Sequence, residues 1–438
     1  MLAGAAGGTT ASQPTNGTFR LRPYTDSVSA TDADARVFLN PFEEGFFDDP
    51  YRQYARLREE APVHRSPIGV WTLTRYDDVS RLLRDPSLSV VDANASSDPA
   101  QEIFDAAGIE RQRRGSRAIL NLDPPDHTRI RRLVSKAFTP SRIDALVPRI
   151  QQLVNDLLDE LESSPRPDVI AGLAFPLPFA VISEILGMPE TDRVQLREWS
   201  HTLVKFLEPV VLQDELPVLI AAGDHMDAHI REAIDWKRAN PADDLLSALI
   251  AVEEEGDVLD ENELLDQVRL LYIAGHETTV NLIGNGTLAL LRNPDQFQLL
   301  HDEPTLIANA VDELLRYDSP VQFSRRITLT DVEIGGRAVA RGSFVFTLLG
   351  AANRDPAHFG AGADRLDLRR RDAPHHLSFG GGIHHCLGAV LARTEGRVAI
   401  GALVRRFPHL ELATERPAWN GRMVLRGLDE LPVRLGDR

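Results

Sequence analysis

The longest uninterrupted helical pattern in the sequence covers 261–292. At roughly 32 residues it would run about 48 Å as an α-helix. A helix of that length crosses an ordinary molecule, so the rest of the chain must pack around it, and its middle is a natural wall for an internal site. Apolar residues recur at helical spacing through most of the chain from Pro50 onward. This spacing predicts further helices at 50–60, 76–84, 125–137, 141–162, 175–187, 193–207, 214–237, 242–254, 304–317 and 387–405. Strand-like runs fall at 62–66, 70–74, 326–334 and 343–347, with a last pair near 409–413 and 422–434. No repeat and no linker-like stretch interrupts the pattern. The expected architecture is mainly α with small β-sheets, one domain over 36–438. It would follow a disordered leader over 1–35, rich in Ala, Gly, Thr, Ser and Asp.

Composition removes several classes. The 438 residues include one cysteine, so internal disulfides, multi-cysteine zinc sites and iron–sulfur clusters are out. Acidic residues number 65 against 48 basic ones, a net charge of −17, which argues against a nucleic-acid binder. No apolar run is long enough to span a bilayer, and the opening MLAGAAGG has no basic region of a signal peptide. A cytoplasmic protein without a membrane anchor is expected.

That one cysteine stands in Phe379-Gly380-Gly381-Gly382-Ile383-His384-His385-Cys386-Leu387-Gly388. Consecutive glycines permit backbone shapes closed to other residues and let a flat ligand approach the main chain. A helical pattern follows, which puts Cys386 at or just before a helix N-terminus, where free N–H groups and the dipole favour a thiolate. On the cysteine alone, the simpler reading is a buried thiol after a Gly-rich loop. Zinc fits poorly. His375, His376, His384 and His385 are near, but adjacent histidines rarely share one ion and no zinc spacing is present.

Within the long helix lies Ala274-Gly275-His276-Glu277-Thr278-Thr279. Residues 274 and 278 share a face, and the Thr278 hydroxyl can reach the Ala274 carbonyl. A packing groove with an exposed Glu would look the same. With Glu277, however, the hydroxyl would form an acid–alcohol pair able to pass protons.

Together these motifs resemble the cytochrome P450 family. Phe379, Gly380, Gly382, His384, Cys386 and Gly388 fill the fixed positions of F-G-x-G-x-H-x-C-x-G, and 274–278 fill A/G-G-x-D/E-T. The similarity extends from about residue 40 to the C-terminus. The resemblance implies haem b with Cys386 as axial iron ligand, and cofactor contacts from Phe379, Gly380, Gly388 and Ala274. It gives Thr278 and Glu277 the handling of protons towards dioxygen. Glu313 and Arg316 match a buried structural E-x-x-R pair, with Arg365 best placed as the third member. His127, Arg131, Arg326 and His384 are the expected partners of the haem propionates.

The implied activity is monooxygenation of a hydrophobic small molecule, by C–H hydroxylation or epoxidation. Electrons would come from NAD(P)H through a ferredoxin and its reductase. The ferredoxin would dock on the cysteine side, where Arg129, Arg131, Arg132 and Lys136 form a basic cluster and Arg369, Arg370 and Arg371 another; such runs are more often only solvated faces. Pocket lining falls to Val90, Val91, Phe206, Leu207, Ile273, Val321, Phe323 and Met423, with Gln322 offering one polar contact. Terpenoids, steroids, fatty acids and macrolides all suit it. A peroxide-driven peroxygenase and a non-catalytic haem-binding sensor are the alternatives; the intact Glu277-Thr278 pair argues against the first and the complete catalytic motifs against the second.

Overall fold

In the computed structural model the predicted 261–292 helix is present as one element, Glu261–Arg292. Its start is set by a capping box. Asp260 accepts from the backbone N–H groups of Asn262 and Glu263, and Glu263 accepts from the Asp260 N–H in return. It stops at Asn293, ahead of Pro294, which has no N–H to continue the ladder. Between these ends it is buried on nearly every side, as a helix apolar all round must be. The structure describes residues 37–67, 69–96, 116–188, 193–209, 214–251, 253–254 and 257–436. The leader expected over 1–35 lies outside them, and the described residues belong to one compact unit.

We label the helices α1 (Pro50–Glu60), α2 (Tyr76–Arg84), α3 (Asp126–Ala137), α4 (Pro140–Ser163), α5 (Pro176–Leu186), α6 (Arg193–Leu203), α7 (Leu216–Ala239), α8 (Leu245–Ala251), α9 (Glu261–Arg292), α10 (Pro294–Asp302), α11 (Ile307–Tyr317) and α12 (Ala389–Arg406). The main core joins α4, α5, α9, α11 and α12 through residues such as Val154, Leu177, Ile283, Leu314 and Ile400. A second cluster packs α7 and α8 against the first half of α9 through Met226, Ile230, Leu246 and Val268. The central helix is thus held from both sides, and its middle residues are fixed in space.

Strands β1 (Val63–Arg65), β2 (Trp71–Leu73), β3 (Leu88–Ser89), β4 (Phe323–Thr328) and β5 (Phe344–Leu348) form one sheet in the order β1-β2-β5-β4-β3. Only β2 and β5 run parallel, with Thr72 opposite Phe346. Several boundaries differ from expectation. The strand read as 326–334 is two, β4 and Val332–Ile334, which pairs in a hairpin with Arg337–Val339. The helix read as 242–254 covers only α8, where Asp244 receives the Ser247 N–H, and Glu253–Glu254 is already a strand. Helix α10 was not foreseen, because Pro294 reads as a stop and serves here as the first residue of a new helix.

Candidate active site

The cysteine loop is shaped by backbone contact with α2. Gly380 and Gly382 have φ of +69° and +65°, in the left-handed region. A Cβ on Gly382 would stand 2.4 Å from the Leu83 carbonyl oxygen and 3.0 Å from the Arg84 Cα. The loop closes when the Cys386 N–H donates to the Phe379 carbonyl at 2.9 Å. Phe379 packs beside Leu282, Val311 and Leu315, and the Arg393 guanidinium lies 4.4 Å from its ring centroid.

Cys386 precedes Gly388, the N-cap of α12. Its thiol is accessible, yet protein surrounds it closely enough for burial to raise its pKa, against the Gly388 N–H, Arg131 and Arg393. Both hold for a side chain on the inner wall of a cleft. The expected thiolate bias of the helix terminus is therefore overruled by burial in the protein alone. A bound metal ion reverses that balance, since a coordinating thiol is deprotonated outright.

Near the cysteine loop stand four basic side chains, two guanidinium cations and two imidazoles. His127 is 2% exposed, and neither of its ring nitrogens has a partner. Its ring centroid is 4.4 Å from that of His384. Burial, with His127, Arg326 and Arg131 nearby, pushes His384 down to about 3. Arg326 is buried, donates among the described residues to Ser324 Oγ and the Arg325 carbonyl, and is pushed down to about 10 by desolvation. Arg131 donates to the His385 carbonyl at 2.7 Å, which ties α3 to the cysteine loop. Among the described residues none of these four has a carboxylate within ion-pair distance. The charges of Arg131 and Arg326, with the unpartnered His127 imidazole beside them, fit a dianionic cofactor whose metal takes a thiolate, because a buried charge without a partner is costly.

On α9, Thr278 Oγ1 donates to the Ala274 carbonyl at 3.1 Å, as its spacing implies. Ala274 is exposed in the middle of an otherwise buried helix. Glu277 turns elsewhere. It is 8% exposed, with one oxygen 3.4 Å from His276 Nε2 and the other 3.5 Å from Arg422 Nη1. Burial raises its pKa, but His276, Arg422 and His201 more than offset this and hold it below the usual value. Neither Arg422 nor His201 was foreseen. The available signal was a lone charge at 422 in an otherwise apolar stretch.

Glu313 and Arg316 are fully buried, with Arg316 Nε 2.6 Å from Glu313 Oε2. The third member is Arg370, not Arg365. Arg370 Nε is 3.2 Å from Glu313 Oε1, whereas Arg365 offers Arg316 only its backbone carbonyl and keeps an exposed side chain. A turn closed by the Arg370 N–H on the Asp367 carbonyl folds Arg370 inward. The 369–371 run is accordingly no free basic patch, since Arg369 also pairs with Glu303.

Of the expected pocket residues, Ile273, Val321, Phe323 and Met423 meet in one apolar cluster with Val204 and Val424. Val90 is buried, its N–H bound to Asp123, and Val91 is half-buried. Phe206 and Leu207 are 43% and 44% exposed and stand outside that cluster. Gln322 is buried; its amide nitrogen donates to Tyr51 Oη and the Ser319 carbonyl, and its oxygen, beside Gly350, has no hydrogen-bond partner.

A family model described as Cytochrome P450 matches residues 64–426. Cytochrome P450 107B1 of Saccharopolyspora erythraea is 42% identical, over 91% of this chain and 98% of its own. The vitamin D(3) 25-hydroxylase of Pseudonocardia autotrophica is also 42% identical, over 91% and 96%. Among solved structures, the bacillaene polyketide synthase cytochrome P450 PksS of Bacillus subtilis superposes with a TM-score of 0.82. It shares 38% identity, over 91% of this chain and 100% of its own.

Proposed function

The chain belongs to the cytochrome P450 family, whose members are haem-thiolate monooxygenases of hydrophobic substrates, and we propose that Cys386 is its iron ligand. One observation carries this reading: beside the loop of the accessible thiol stand the guanidinium groups of Arg131 and Arg326 and the imidazoles of His127 and His384, with no carboxylate in ion-pair distance among the described residues. Those four side chains would hold the two haem propionates. When bound, thiolate-ligated haem iron supplies the activation of dioxygen.

The protein's own share is to exclude water, orient the substrate and move protons. Thr278 holds its hydroxyl proton against the Ala274 carbonyl and can turn it into the cleft. Glu277 is the charged acid next to it and the proposed proton carrier. The cluster of Ile273, Val321, Phe323 and Met423 offers a substrate only apolar contact, which suits a large hydrophobic molecule of the polyketide or steroid kind. The relatives' names, a vitamin D hydroxylase and a polyketide-pathway P450, support that class. The proposed reaction is hydroxylation or epoxidation with O2. NAD(P)H in the cytoplasm would supply electrons through a ferredoxin docking on the α3 face, which Arg131 ties to the cysteine loop.

The test is spectral. The ferrous–carbonyl Soret band of the holoprotein should lie far to the red, as a thiolate ligand requires. A Cys386→Ala variant that kept this band would sink the assignment.

A further inference from the structure

The chain leading into α3 is fastened to the first turns of α9 by side chains that grip its backbone. Gln267 is buried and holds two residues at once. Its Nε2 donates to the Arg117 carbonyl at 2.7 Å, and its Oε1 accepts from the Ile119 N–H at 3.0 Å. Ala118 between them is extended, so that carbonyl and that N–H face the same way. One amide thus bonds the segment as one residue of a parallel strand would. The Arg117 N–H donates to Asp266 Oδ2 at 2.6 Å. The Arg117 guanidinium spans Glu263 of α9 at 2.8 Å and Asp126 of α3 at 3.1 Å. Ser116 Oγ accepts from the Ala118 N–H, and the Ala118 carbonyl accepts from the Asn121 N–H. The turn Ile119–Asn121 is therefore pinned to α9 through its main chain.

We infer that Gln267 is a positioning residue for the substrate pocket: it sets the turn so that Leu120 meets the bound molecule. The inference rests on the monooxygenase reading. Gln267 stands seven residues before Ala274 and eleven before Thr278, close to two and three helical turns, so the three share one stripe of α9. Ala274 opens that stripe to the cleft, and the clamp lies about 10 Å from it along the axis. Ile119 and Leu122 are buried in the cluster of Leu271 and Tyr272, against which Ile273 of the pocket also packs. Leu120, between them, is 45% exposed. A lone exposed leucine is ordinary on a surface. This one stands on a turn sealed on both sides against the cleft-facing helix, with its backbone held by an amide and a carboxylate. An apolar wall fixed in advance spares a ligand the cost of ordering it.

Azole titration of the haem-loaded protein, followed by the Soret shift, reads the wall without turnover. Imidazole needs only the iron, whereas econazole brings two chlorinated rings that must meet the pocket wall. Gln267→Met keeps the length and loses both hydrogen bonds. It should weaken econazole about tenfold and move imidazole by less than about twofold. Leu120→Ala should weaken econazole about fivefold in the wild-type background. In the Gln267→Met background the same change should cost less than about twofold, because a released turn no longer presents the side chain. Gln267→Asn keeps an amide too short to reach both residues and should match Gln267→Met, which covers the case of a Gln267→Met protein that does not fold. Additive losses, an unmoved Leu120→Ala, or imidazole weakened as much as econazole would show that the amide only holds the fold and would overturn the inference. Failure of the monooxygenase reading is seen separately, as a wild-type holoprotein without the red-shifted carbonyl band.

Discussion

Arg370 Nε lies 3.2 Å from Glu313 Oε1, the oxygen that also receives the Asp367 N–H at 2.9 Å and Arg316 Nη2 at 2.8 Å. Three donors thus converge on one buried carboxylate oxygen, and the segment before the cysteine loop is fastened to α11. Removing Arg370 leaves the Glu313–Arg316 pair neutral but strips one charge-assisted donor from the carboxylate and the bonds to the Phe359 and Gly362 carbonyls. Arg370→Ala should destabilise the protein by about 2–3 kcal/mol. Arg365→Ala keeps the carbonyl that Arg316 uses and should stay within about 0.5 kcal/mol of wild type. Urea unfolding of the two variants distinguishes them, and equal losses would refute the assignment of Arg370.

Arg326 gives a prediction of opposite signs. In the haem-free protein its guanidinium is a buried cation whose ion pairing, among the described residues, is nil. Arg326→Met should therefore raise the stability of the haem-free form by about 1–2 kcal/mol. In the loaded protein the same change removes a propionate partner and should speed haem loss about tenfold. Calorimetry of the haem-free form and haem transfer to an acceptor protein supply the two measurements. A variant that weakens both forms would show that Arg326 is structural.

The buried pair His376 and Asp312 sets a pH dependence. His376 Nε2 is 3.3 Å from Asp312 Oδ1, while Nδ1 accepts from the Ser378 N–H, so the neutral ring fits both contacts. Burial holds His376 below its ordinary 6.5 despite Asp312. Asp312 is raised by burial but lowered further by His376 and Arg393, and ends below its ordinary 3.8. Both folded values are depressed, so both contributions are present at neutral pH and are lost on acidification. The His376 part falls away as pH drops below 6.5, where the unfolded chain takes up a proton that the folded one refuses; the Asp312 part follows below 3.8. Between pH 6.5 and 5.5 the slope from His376 is at most about 1.4 kcal/mol per pH unit. His376→Gln should flatten the stability curve in that interval, and an unchanged slope would count against the assignment.

For the proposed ferredoxin face, Arg132→Glu combined with Lys136→Glu reverses charge on α3. Ferredoxin-supported turnover at low salt should fall about tenfold and lose much of its salt dependence. Peroxide-supported turnover should be spared. Equal loss of both activities would remove the docking role.

Much of this arrangement can be read from residues alone, and the limits have physical causes. Helices 50–60 and 261–292 end where predicted because Pro50, Asp260 and Pro294 punctuate the chain locally. Strand β3 escapes notice because two residues carry no period, and only its pairing with Ile327 and Thr328 defines it. Arg365 and Arg370 differ by the direction of one turn, which no local pattern encodes. The grip of Arg422 on Glu277 joins residues 145 positions apart, and nothing near either residue points to the other. Gln322 reads as a pocket residue from its neighbours, but its amide is turned to Tyr51.

The approach of Gly382 to the Leu83 carbonyl has a consequence for how this chain can vary. Main chain meets main chain there, so exchanging side chains along 76–84 neither relieves nor tightens the contact. Helix α2 can change its surface freely without displacing the thiol. A one-residue insertion or deletion in α2, which rotates every following carbonyl by a helical step, would displace it at once. Cysteine placement in this protein tolerates side-chain exchange on the exposed face of α2 but neither a side chain at Gly382 nor a change in the length of α2.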